Sequence, residues 1–184
     1  MPHTELLALQ RQRFLDPSDP PACARVLQLL LAQDGSTTRL CETVAGGPVA
    51  LHLLEQRVTA SVPPAVRAVL PGGLFIERIT CLAAQGRVMM DNLAYIGLDG
   101  LPADVRRDLD AGVVPIGHLL PRMWIRRRFL EPVPALYERL WDAAGGLPDA
   151  AASRLYCIAT PEGPSMVIAE TFRRGMLMAA AAHA

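Results

Sequence analysis

The stretch LFIERITCLAAQGRVMMDNLAYIGL, residues 74–98, constrains the fold of this chain more than any other. It reads as two strands around a turn at Gln85-Gly86, with β-branched and apolar residues running away from the turn on both sides. A second hairpin, SRLYCIATPEGPSMVIAETF at residues 153–172, is turned by Pro-Glu-Gly-Pro. Hairpins need antiparallel pairing, so the other elements must be placed around an antiparallel sheet.

Those elements are mostly helical. ACARVLQLLLAQDGSTTRLCETVAGG has helical apolar spacing at Val26, Leu29, Leu30 and Leu40, interrupted by Asp34-Gly35-Ser36. The pattern predicts a helix, a turn, and a short helix capped by Ser36 that ends at Gly46-Gly47. LPADVRRDLDAG and PALYERLWDAAGG read as helices, the first with proline near its start and Gly112 past its end. PVALHLLEQRVTAS is β-like, although its leucine run also fits a helix, and PPAVRAVLPGG reads as a connector. VPIGHLLPRMWIRRRFL gives a Pro/Gly turn, a short apolar segment and a strand. Helices, a β-rich middle, further helices and a final hairpin predict an α+β fold with a mainly antiparallel sheet rather than βαβ repeats. With no internal repeat and no long linker, residues 1–184 are expected to form one domain.

Composition bounds the function. A chain that is 51% hydrophobic and 20% charged suits a soluble globular protein. Its formal net charge of +0 supplies no global field for nucleic acid or acidic membranes, so neither is an expected partner. All 18 basic residues are arginine, which excludes Schiff-base chemistry, a lysine general base and a P-loop lysine. Cys23, Cys41, Cys81 and Cys157 form no C-x-x-C pair and read as reduced thiols, and the four scattered histidines make a metal cluster an unexpected outcome. The N-terminus lacks a signal-peptide core, and no stretch reaches the ~20 apolar residues of a membrane helix. The cytoplasm is the expected location, and MLMAAAAHA is expected to be a frayed tail.

Strand alternation then isolates two charged residues. Leu74, Ile76, Arg78, Thr80 and Leu82 share one face of the first hairpin strand; Met166, Ile168, Glu170 and Phe172 share one face of the last. Charged groups are rarely buried without a partner. One explanation is a structural Arg78–Glu170 ion pair, or strand ends that reach solvent. The other is a pocket in which Arg78 grips a ligand carboxylate and Glu170 meets a hydroxyl or a proton. PRMWIRRRF, read as a strand, sets Arg122, Trp124, Arg126 and Arg128 on one face and Met123, Ile125, Arg127 and Phe129 on the other. Such a run reads as a solvated face, with a nucleic-acid stripe as the alternative. No G-x-S-x-G, H-E-x-x-H or G-x-G-x-x-G occurs, and Ser36 reads as a cap rather than a nucleophile.

The segments LLLAQDGSTTRLCETVAG, FIERITCL, VPIGHLL and VIAETF occur in this order and at separations that resemble the chorismate pyruvate-lyase family, over about Leu27 to Phe172. The likeness is closest to the actinobacterial branch that makes 4-hydroxybenzoate. It implies an antiparallel sheet flanked by helices, with an enclosed aromatic-acid pocket under helical flaps. It implies that Arg78 binds the ring carboxylate and that Glu170, in AETF, meets the hydroxyl end of the ring. The backbone at Ile116 and Gly117 would help hold the carboxylate, and Thr37 would contribute an amide. The implied activity is a carbon–oxygen lyase that eliminates pyruvate from chorismate, using Arg78 and Glu170 and no metal or cofactor, with arginines of the Arg122–Arg128 strand as candidates to receive the pyruvyl carboxylate. A variant would act on an amino-substituted chorismate and give an aminobenzoate. The departures are Leu93, where the family commonly has a polar residue, and the segment YERLWDAAGGLPDAA. The rival reading is a non-catalytic, small-molecule effector-binding domain of the same fold. The segment ahead of the likeness is short for a helix-turn-helix domain, which favours the enzyme. The oligomeric state is expected to be a monomer or a weak dimer.

Overall fold

A computed structural model of the protein describes residues 9–177. The segment MLMAAAAHA, expected to be a frayed tail, instead starts within a 3-10 turn at Arg174–Leu177 with Met176 packed into the core; its remainder from residue 178, and His3 and His183, lie outside the described residues. Six strands form one sheet: β1 (Ala50–Thr59), β2 (Phe75–Ala84), β3 (Arg87–Gly97), β4 (Arg126–Phe129), β5 (Ser153–Thr160) and β6 (Gly163–Phe172). Their order is β1-β2-β3-β6-β5-β4, and every neighbouring pair is antiparallel. The β2–β3 turn sits where the sequence puts it. Gln85 and Gly86 both have positive φ, 51° and 74°, the twist that matches a two-residue hairpin to its strands.

The helices are α1 (Pro21–Ala32), α2 (Thr37–Ala45), α3 (Pro64–Arg67), α4 (Ala103–Ala111), α5 (Ile116–Leu119) and α6 (Pro134–Ala144). Ser36 caps α2 by accepting from the Arg39 amide, while Gly46 and Gly112 end α2 and α4 in the left-handed conformation. On one side of the sheet, Phe75, Ile79, Leu93, Leu155 and Val167 pack against Leu136, Tyr137 and Leu140 of α6. On the other side, Ile76, Ile96, Ile158 and Ile168 pack under α4 and α5, and Leu82, Met90 and Phe172 lie under α1 and α2. Each fully buried side chain of this size contributes ~1.5–3 kcal/mol relative to exposure.

Several expectations change here. PVALHLLEQRVTAS resolves to the strand β1, and the connector PPAVRAVLPGG contains the one-turn helix α3. Helix α1 rests on Leu27 and Leu30 against Phe14 and Phe172, which turns Leu29 outward at 71% exposure. The strand expected over residues 122–129 covers only Arg126–Phe129. Before it come α5 and a 3-10 turn at Leu120–Arg122, with Pro115 at the cap of the first and Pro121 inside the start of the second, where a missing N–H costs nothing. All four cysteines are free thiols. Among the described residues no helix is long and apolar enough to cross a membrane, and no three His, Cys, Asp or Glu side chains are grouped to hold a metal.

Candidate functional site

Alternation along β2 and β6 places Arg78 and Glu170 on the same side of the sheet, the side roofed by α1, α2, α4 and α5, with β3 between their strands. They do not pair with each other. Glu170, 2% exposed, accepts from Arg154 Nε at 2.9 Å and Thr37 Oγ1 at 3.1 Å through Oε2, and from Tyr156 Oη at 2.7 Å through Oε1. The structural ion pair weighed from the sequence therefore exists, with a different arginine. Burial, and then the adjacent Glu170 charge, push the Tyr156 hydroxyl well above its ordinary pKa, so it stays a donor.

Arg154 does more than neutralise Glu170. Its Nη1 donates to Leu30 O at 2.8 Å and Gln33 O at 2.6 Å, at the C-terminal end of α1, and Nη2 donates to Thr37 Oγ1 at 2.9 Å. Its guanidinium also lies 5.1 Å from the Phe172 ring centroid and 5.4 Å from that of Tyr156. Orphan carbonyls at a helix end are satisfied by such a cation. This buried pair thus joins α1, the start of α2 and two strands.

Arg78 is different. It is 0% exposed, yet no carboxylate lies within ion-pair distance among the described residues. Its Nη2 donates to Val114 O at 3.0 Å and Gly112 O at 3.3 Å, Nη1 to Leu109 O at 3.5 Å, and Nε has no partner. Desolvation by burial pulls its pKa down to about 10. These acceptors are the end of α4 and the segment leading into α5, so the cation sits behind the wall of the cavity roofed by that segment.

The cavity lies between the sheet and the starts of α2 and α5. It is bounded by Thr37, Thr38, Ile116, Gly117, Asn92 and Glu170, and its empty volume is ≈ 410 Å³, mouth included. In this closed form it is narrow, with room for water rather than a ring. Three of the five expected site residues, Thr37, Ile116 and Gly117, form its roof, Glu170 is in its floor, and Arg78 stands outside the lining. Gly117 is required by close approach: a Cβ there would meet Thr38 and Ser36 of the facing helix start. The first amides of any helix lack intrahelical acceptors, and here two helix starts meet over one cavity. His118 Nε2 lies 2.9 Å from Glu42 Oε1 and bridges α5 to α2 on the outside.

The sequence reading missed Arg154 and Tyr156, whereas Asn92, beside the departure at Leu93, and Arg127, in the arginine run, lie in segments it singled out. Asn92 pairs in register with Glu170 across β3 and β6, lines the cavity, and has a buried Oδ1 without a partner. Alternation along RRRF already separates Arg127 and Phe129 from Arg126 and Arg128. Arg127 turns inward to the cavity wall and donates from Nη1 to Asp34 O at 2.8 Å.

No protein-family model and no curated protein matches the chain. Among solved structures, it is similar to the possible transcriptional regulator YydK of Bacillus subtilis, with 12% identity over 99% of this chain and 94% of that one and a TM-score of 0.45. It is also similar to PhnF from Mycobacterium smegmatis, with 10% identity, 98% and 96% coverage and a TM-score of 0.46. A third similar structure is the ligand-binding domain of a proposed GntR-family transcriptional regulator of Bordetella bronchiseptica, with 17% identity, 67% and 84% coverage and a TM-score of 0.38. Such likeness concerns the fold alone. The expectation of a lyase is corrected on these findings: two of these proteins are described as a regulator or as the ligand-binding domain of one, and none of the three as a lyase. Glu170, the expected acid–base group, is held by three donors. The resemblance read from the sequence stands for the fold, an antiparallel sheet under helical flaps, and not for the reaction.

Proposed function

We propose that this chain, taken as one unit over residues 1–184, is a small-molecule effector-binding domain in the cytoplasm. Its ligand is an anionic ring acid of the chorismate or 4-hydroxybenzoate kind, held between the sheet and the roof formed by α2 and α5. The observation that carries this reading is Arg78, a fully buried cation with three carbonyl acceptors, a free Nε and no carboxylate among the described residues. A buried charge without a counter-charge is costly, and a ligand carboxylate entering behind the α4–α5 segment would supply one. The unpartnered Asn92 Oδ1 and the amides at Ile116, Gly117 and Thr37 add polar groups suited to orienting a ring acid. The description of the Bordetella bronchiseptica neighbour as a ligand-binding domain points the same way.

Binding requires α2 and α5 to part, because the closed cavity admits no ring. Thermal unfolding with millimolar 4-hydroxybenzoate and with chorismate tests the reading. Both should raise the melting temperature, since each binds the folded state alone, and chorismate should be recovered intact without release of pyruvate. Arg78→Met should abolish the shift while the protein stays folded. A normal shift in that variant would remove Arg78 from the site, and no shift with any ring acid would end the effector reading.

A further inference from the structure

The described arginines divide into three groups. Arg154 is matched by Glu170, Arg11 and Arg173 by Asp91, and Arg57 and Arg139 by Glu77. Others lie at the surface or, like Arg174 with Asp19 and Arg106 with Asp110, are half-buried and matched. Two have no carboxylate within ion-pair distance among the described residues: Arg78, buried outside the cavity lining, and Arg127 on β4, which is part of it. Arg127 is half-buried, its Nε is buried without an acceptor, and its one bond is Nη1 to Asp34 O. It belongs to the wall of the inner cavity and also to that of an outer groove. The two spaces meet at Gly117, Leu120 and Arg127, and the groove has an empty volume of ≈ 780 Å³ with Met123, Trp124 and Ile125 along it.

The two free cations lie far apart. β2 and β4 are separated by four strand spacings, or ~19 Å between strand axes before the twist of the sheet is counted. One carboxylate on a single ring cannot serve both. Resting on the effector reading above, we propose that Arg127 is a second anion contact for the same ligand, so that the effector is an elongated dianion. One acidic group lies toward Arg78, the apolar body passes under Gly117, and the other acidic group lies at the neck beside Arg127. A guanidinium fork suits this role, since it makes charge-assisted bonds to a carboxylate or phosphate in a fixed plane. Trp124, 71% exposed along the groove, is placed to report on an occupant there.

The test compares 4-hydroxybenzoate with benzene-1,4-dicarboxylate and the longer 4-carboxycinnamate, followed by calorimetry and by tryptophan fluorescence. A Trp124→Phe variant isolates the signal of the buried Trp141. The longer dianion should bind at least ~10-fold more tightly than the monoanion, the scale of one added charge-assisted contact. Arg127→Gln should remove that advantage and leave 4-hydroxybenzoate binding within a factor of ~2. Arg126→Gln and Arg128→Gln, on the same strand but outside the inner cavity wall, should keep the advantage. An unchanged melting temperature without ligand shows that Arg127→Gln folds. Equal affinities for mono- and dianions, unaffected by Arg127→Gln, would overturn the second contact and leave the effector reading intact. Failure of every acid to bind the wild-type protein would overturn both.

Discussion

On the side of the sheet under α6, Glu77 receives Arg57 at 2.6 Å and Arg139 at 3.0 Å, and Asp91 receives Arg173 at 2.6 Å and Arg11 at 3.0 Å. On the opposite side, Glu170 takes Arg154, while Arg78 and Arg127 take no carboxylate among the described residues. Both sides bury cations; only the first surrounds each carboxylate with guanidinium groups drawn from distant parts of the chain. Those closed clusters fasten elements together, whereas an unmatched guanidinium near a cavity wall leaves charge available for something that enters from outside. The difference teaches that burial of a charge does not by itself point to a binding site; the proposed site is read from the missing counter-charge.

The comparison breaks most easily at Asp91. Asp91→Ala would leave Arg173, 0% exposed, without its counter-ion. The expected loss is ~3–5 kcal/mol, lowering the melting temperature by on the order of 10 °C without altering affinity for ring acids. A loss of binding at constant stability would reverse the roles given to the two sides. On the cavity side, Gly117→Ala forces a methyl group against Thr38 and Ser36. This should cost ~1–3 kcal/mol by overpacking and disturb ligand binding, because the roof itself is displaced; denaturant titration beside calorimetry checks both. Arg78→Met should leave stability unchanged or raise it by ~1 kcal/mol, since it removes an unmatched buried cation. If it destabilised as severely as Asp91→Ala, Arg78 would belong with the structural clusters.

The smallest effect concerns Asp19, whose pKa falls to about 2, chiefly through hydrogen bonds from Arg174. A folded-state pKa below the ordinary 3.8 means this contribution is present above pH ~4 and is lost as pH falls through about 2. Melting curves of wild type and Asp19→Asn should therefore differ at pH 5 and converge near pH 2. Divergence that persists at pH 2 would show a contribution other than charge.

Much of this was legible in the sequence. The Gln85-Gly86 turn, the two hairpins, the caps at Ser36 and Gly112, and the place of Arg78 and Glu170 on the apolar faces of their own strands all follow from period and turn chemistry. Arg154 was not legible, for a specific reason. Counting outward from the β5–β6 turn, Thr160 faces Gly163 and Ala159 faces Pro164, a register that would carry Arg154 opposite Ala169. The irregularity between Ile158 and Ala159 shifts the count by one and sets Arg154 opposite Glu170. A one-residue slip moves every side chain to the other face, and nothing in CIATPEGPSM announces it. The one-turn helix α5 was missed because four residues are too few to show a helical period, so VPIGHLL reads only as a turn and a short apolar run, and the lyase reading rested on motifs, which locate a residue without showing what holds it.

The grip of Arg154 on Leu30 O and Gln33 O has a mechanical consequence. With the end of α1 clamped to the sheet, the opening that ligand entry would require is expected to pivot between Gln33 and Thr37. Such a swing would draw Thr37 off Glu170 and strain the Arg127 contact to Asp34 O, while Tyr156 and Arg154 keep their hold on the carboxylate. Amide exchange over Thr37–Ala45 should outpace that over Pro21–Ala32, and equal rates would mean the hinge lies elsewhere.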